Sequence, residues 1–149
     1  MTIALPPWFG VAVSILICGG ALWKGDWEER TAGATLLLNF AISIFLRDVS
    51  WPRVQLAGFT ADIFTLLILG AVALRTKKFW PLFATGFQLL SVLTHVGKMI
   101  DPNVHGWAYL TAIIIWTYLI LISLAIGAWN AWRARRQLAM ADGRGATRR

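Results

Sequence analysis

Between Gln55 and Leu74 the chain runs for about twenty residues with one charged side chain, Asp62, and about 20 helical residues are what a hydrocarbon core of about 30 Å requires. Further apolar runs of roughly 17 to 25 residues flank this one, too long and too unbroken for the alternating strands of a barrel. The expected fold class is therefore all-α, an integral membrane bundle. Composition supports it: of 149 residues 58 % are hydrophobic and only 14 % charged, too little polar surface to cover a soluble domain of this size.

Five transmembrane helices are predicted, over residues 8–23, 31–46, 55–74, 79–99 and 107–132. Pro6 and Pro7 suit the first helix start, and Pro102 with Gly106 breaks the chain before the last. The second segment is the shortest, about 24 Å at about 1.5 Å per residue, so four spans with a re-entrant second segment is the alternative. The first run lacks a basic leader and a small-residue cleavage site, and is expected to be a retained helix. The link "KGDWEER" reads as a solvated turn. Residues 1–133 then form the bundle, and residues 134–149 read as a basic, disordered cytoplasmic tail.

Lysine and arginine set the orientation. With the N-terminus outside, Lys24, Arg30, Arg75, Lys77, Lys78 and the arginines of the tail all fall on the cytoplasmic side. Arg47, Arg53 and Lys98 alone face outward. Trp8, Trp23, Trp27, Trp51, Trp80, Trp107, Trp129 and Trp132 sit at the predicted span ends, where indoles prefer the interface, and Trp116 lies deep. Arg133, Arg135 and Arg136 would meet anionic lipid headgroups or an acidic partner. This membrane-proximal charge accounts for the pI of about 10.6 without nucleic acid.

The polar residues inside the spans fall on stripes. Gln55, Gly58, Asp62 and Thr65 recur at helical spacing on the third segment, with Phe59, Ile63, Leu66 and Leu67 assigned to lipid. Ala84, Gln88, Ser91 and His95 repeat the device on the fourth, and Thr35, Asn39 and Ser43 on the second. Because the third and fourth segments run in opposite directions, Asp62, Gln88 and His95 come to similar depth. With Asn39 they form the candidate intramembrane polar site. Ionisable residues within spans face a protein interior or a wet cavity, while polar side chains also join helices by hydrogen bonds. His95, Asp101 and His105 are too few and too loosely spaced for a metal site. No phosphate loop, nucleophile elbow or paired zinc-ligand motif occurs. Neither a catalytic residue nor a cofactor is expected. The single cysteine, Cys18, reads as a packing residue.

The stretch "ADIFTLLILGAVALRTKKFWPLFATGFQLLSVLTHVGK", residues 61–98, resembles small polytopic bacterial inner-membrane proteins of unassigned function. Asp62, Arg75, Phe79, Trp80, Pro81, Gln88 and His95 carry the resemblance, an acid on one helix, a basic-aromatic-Pro turn, then Gln and His on the next. It implies a bacterial inner membrane and no particular activity. The expected function is that of a non-enzymatic accessory or structural subunit, associating with other membrane subunits or with itself. Alternatives are a small proton- or cation-linked transporter or channel and, third, a membrane enzyme using Asp62 and His95 as acid and base.

Overall fold

The computed structural model describes residues 7–45, 51–101 and 103–146, with side chains over residues 10–45, 56–101 and 103–141. Five helices follow one another: α1 (Pro7–Lys24), α2 (Trp27–Phe45), α3 (Trp51–Arg75), α4 (Trp80–Ile100) and α5 (Gly106–Ala146). Among the described residues there is no strand. Leu46, Arg47, Pro102, Arg148 and Arg149 lie outside the described residues, as do the side chains of Trp8, Trp51, Arg53, Gln55 and Arg144.

Each helix packs on its neighbour in sequence, and α1 packs on α5, so the bundle closes as a ring, with a further contact between α2 and α5. Its centre holds Cys18, Ala21, Ala32, Leu69, Leu124 and the indole of Trp80. Small side chains bring α1 and α2 close. A Cβ on Gly33 would lie 3.2 Å from the carbonyl oxygen of Cys18, a spacing that only a small residue allows. Trp116 donates from Nε1 to Thr94 Oγ1 of α4 at 3.1 Å, and Tyr118 packs on the core.

Two segments, Leu56–Arg75 and Gly106–Ala141, are long and apolar enough to cross a membrane, and α1 supplies a shorter apolar stretch, Gly10–Lys24. In the apolar 18-residue stretch of each, only 22 % and 28 % of the residues are buried. Their apolar side chains point mostly outward, opposite to the core helix of a soluble protein.

The helices depart from the sequence expectation at three places, one being the third helix, which begins at Trp51 rather than at residue 55. The second helix starts at Trp27 rather than near residue 31, because Glu29 supplies the returning half of a capping box: its Oε2 accepts the Asp26 backbone N–H at 2.8 Å. Glu28 and Glu29 then occupy the first turn, where the helix dipole favours acids. At the other end of the chain, the expected disordered tail is helical as far as Ala146. The segment "RARRQLAMA" consists largely of strong helix formers, and extending an existing helix needs no new nucleus.

Candidate functional site

Asp62 sits within α3 with its carboxylate turned into the bundle. Asn39 Nδ2, from α2, donates to Oδ1 at 2.9 Å, and Ser91 Oγ, from α4, donates to Oδ2 at 2.6 Å. His95 Nε2, one turn further along α4, lies 3.3 Å from the same Oδ2. Gln88 joins through the backbone, its Nε2 donating to the Asp62 carbonyl oxygen at 3.2 Å. Asn39 also donates to Thr65 Oγ1 at 3.0 Å, and Thr65 passes its own proton to the Ala61 carbonyl at 2.9 Å. The four expected site residues are thus brought together, with Gln88 on the main chain rather than on the carboxylate. Spacings of three and four residues put Gln88, Ser91 and His95 on one face of α4, and α3 presents Asp62 and Thr65 by the same rule.

Tyr109 completes the cluster from α5, its hydroxyl 2.8 Å from His95 Nδ1. With a proton on Nε2, the imidazole donates to Asp62 and accepts from Tyr109. The ring is held edge-on by Tyr109, with centroids 5.5 Å apart, and is flanked by Phe59 at 5.9 Å. Phe59, assigned to lipid from the sequence, instead faces the histidine. Helices α2, α3, α4 and α5 therefore share one hydrogen-bonded network. His95 has both ring nitrogens engaged here, while Asp101 Oδ1 accepts the Asn103 backbone N–H at 2.9 Å and His105 is exposed.

A second polar cluster lies at the opposite end of the bundle, where the α1–α2 and α3–α4 links meet. Lys78 Nζ donates to Asp26 Oδ2 at 2.9 Å, Glu28 Oε2 at 3.2 Å and Glu29 Oε1 at 3.0 Å. Trp80 Nε1 donates to the same Glu29 oxygen at 2.9 Å, and Thr76 Oγ1 to Glu28 Oε1 at 3.1 Å. From α5, Arg135 reaches Asp26 Oδ1 at 2.6 Å. The "KGDWEER" link is accordingly not a solvated turn, since the Glu29 side chain is 0 % exposed. Asp26, Glu28 and Glu29 are the one group of three potential metal ligands among the described residues, and an ammonium already lies within hydrogen-bond reach of all three. The arrangement is an ion-pair lock.

The lock perturbs its two half-buried members, Asp26 and Lys78. The hydrogen bond from Lys78, aided by Arg135 against partial burial, holds the Asp26 carboxyl below its ordinary 3.8. For Lys78, burial opposes the charge, but hydrogen bonds to Asp26, Glu29 and Glu28 outweigh it and keep the ammonium above its ordinary 10.5. The contribution of Asp26 is therefore complete above pH 3.8 and is lost as the pH falls through its lowered value. That of Lys78 is complete below pH 10.5 and is lost as the pH rises through its raised value. Unfolding midpoints in detergent are expected to stay level from about pH 5 to about pH 9 where this lock is concerned, then fall on both sides. A Lys78→Met protein should lack the alkaline fall attributable to this residue, which the same pH series checks.

The three arginines expected at a lipid or partner surface divide. Arg135 is committed to Asp26. Arg136 stacks over Trp132 at 3.9 Å and Arg133 over Trp129 at 5.7 Å, while Lys24 lies 5.5 Å from the Trp23 ring and 5.6 Å from that of Trp132. Cations on indoles form a belt at this end of the bundle. No protein-family model, curated protein or solved structure matches the chain.

Proposed function

We propose that the chain is a five-span protein of the bacterial inner membrane, N-terminus outside and C-terminus cytoplasmic, that acts without catalysis as an accessory or structural subunit of a membrane assembly. The observation that carries this reading is the saturation of Asp62. Its carboxylate is met by Asn39, Ser91 and His95, and no buried side-chain nitrogen or oxygen among the described residues lacks a partner. A carboxylate so engaged joins helices. Support for five spans comes from α2, a continuous helix of 19 residues, about 28 Å long and close to a core of about 30 Å. The charge bias and the indole–cation belt support the orientation.

Support for an assembly partner comes from α5. At 41 residues it is about 60 Å long, twice the hydrocarbon thickness, and residues 133–141 are all exposed. Leu138 and Met140 on this basic extension stand 67 % and 57 % exposed. The partners in this reading are the bilayer, anionic headgroups at Arg136, and other membrane subunits or a second copy of the chain. Native mass spectrometry of the protein extracted at its natural abundance tests it. Other chains at fixed stoichiometry, or a symmetric oligomer, are expected, and a lone monomer overturns the reading.

Asp62→Ala separates joining from transport. Loss of three hydrogen bonds at about 0.6 kcal/mol each predicts destabilisation of about 2 kcal/mol, read as a lower unfolding midpoint in detergent, with proton flux in proteoliposomes at the level of protein-free vesicles before and after the change. A second reading, proton-linked transport, draws on one observation. Asp62, His95 and Tyr109 form an unbroken chain of proton-exchanging groups across α3, α4 and α5. It requires pH-dependent flux in the unaltered protein that disappears in a folded Asp62→Asn variant.

A further inference from the structure

Between α4 and α5, on the outer face of the bundle, runs a groove of about 650 Å³. Its walls are aromatic and aliphatic, with Phe79, Phe83 and Phe87 on α4 and its leading link and Ile122 and Ile126 on α5. Trp80 and Gly127 also line it. Charged groups gather at one end only, where Asp26 and Lys78, with Asn130, open on the ion-pair lock, and the hydroxyl of Ser123 further along is spent on the Leu119 carbonyl. We infer that this groove holds one acyl chain of a phospholipid with a zwitterionic, ammonium-bearing headgroup.

Length is the first argument. The α5 wall extends from Leu119 to Ala134, about 22 Å along the helix at about 1.5 Å per residue. Half of a bilayer of about 40–45 Å including headgroups is the same distance. The groove therefore runs from the headgroup plane to about the midplane, and its polar mouth lies at the end where the indole–cation belt marks the interface. Its volume is in the range of about 300–1,000 Å³ typical of small-molecule sites.

Charge identifies the headgroup. In the lock, Asp26, Glu28 and Glu29 face Lys78 and Arg135, one negative charge in excess. Asp26, 42 % exposed, is the most open of the three carboxylates; Lys78 holds its Oδ2 and Arg135 its Oδ1, and the second lone pair of each oxygen accepts the headgroup ammonium. Phosphate oxygens take the amide of Asn130 and the guanidinium of Arg133. At seven residues beyond Ile126, Arg133 falls on the same face of α5. A purely anionic headgroup satisfies Arg133 but meets the excess acid of the lock with nothing to offer it.

The inference rests on membrane embedding as proposed above, and one experiment tells the two apart. The full-length chain is incorporated into nanodiscs of equimolar phosphatidylethanolamine and phosphatidylglycerol, then released for native mass spectrometry. One phosphatidylethanolamine retained per chain is expected, at least fivefold over phosphatidylglycerol. Ile126→Trp, which fills the groove from an exposed position, should reduce that retention at least fivefold at unchanged helix content. If it fails to fold, Ile122→Trp carries the same expectation. Equal retention by a folded groove-filled variant, preference for phosphatidylglycerol, or a lipid-free dimer whose second copy covers the groove each overturns the lipid assignment and leaves embedding intact. A chain that stays outside the nanodisc refutes the embedding itself.

Discussion

Lys78→Met is expected to cost about 3–5 kcal/mol, at the lower end because the lysine is partly exposed, since removing one partner of a buried ion pair strands the other. Glu29 is fully enclosed and Glu28 nearly so, their side chains 0 % and 10 % exposed. Without the ammonium, Glu29 keeps the Trp80 and Asp26 N–H donors, but two carboxylates then share a site with no cation between them. The measurement is the denaturant midpoint in detergent. The double variant Lys78→Met/Glu29→Gln supplies the control, because removing the stranded charge should recover most of the loss. Additive effects in that cycle would show that Lys78 and Glu29 do not act together.

Gly127→Ala tests the same end of the bundle from the packing side. A Cβ there would stand 2.6 Å from Cδ1 and Nε1 of Trp80 and 2.7 Å from Cδ2. The indole is rigid and 7 % exposed, and its Nε1–H is held by Glu29, so relief of the clash breaks that hydrogen bond. Overpacking together with a lost bond to a charged group predicts about 3 kcal/mol of destabilisation. Gly86→Ala should move the other way, by about 0.5–1 kcal/mol, because its Cβ meets nothing and alanine suits a helix better than glycine. Opposite signs for two Gly→Ala changes on packed helices would place the cost in the Trp80 contact. Equal small effects would refute it.

What the sequence made legible follows its periodicities. The stripes through Asp62 and through Gln88, Ser91 and His95 were readable because three- and four-residue spacings leave few choices of face, and the short "RTKK" link forces the two helices to pair. Tyr109 was missed, although it opens the fifth segment at the depth of His95, since one phenol among many apolar residues has no period of its own. The lock was missed for another reason. Orientation counting weighs Lys and Arg and gives acids little part, so Asp26, Glu28 and Glu29 looked like solvent-facing charge. The signal was present in "DWEE", an acidic N-cap followed three residues later by Glu. It announces a helix start, and a helix start there turns Glu29 inward. Its partners Lys78 and Trp80 lie 49 and 51 residues away, a separation that no local pattern spans.

That separation also sets a clock. On a ribosome adding about 5–20 residues per second, Lys78 follows Glu29 by 49 residues, so the second helix waits about 2–10 s with its carboxylates unneutralised. Arg135 comes 109 residues after Asp26 and closes the lock later still. The segment made second is thus among the last to settle, and a nascent chain stalled before Lys78 would display an acidic helix end whose carboxylates have no cation between them.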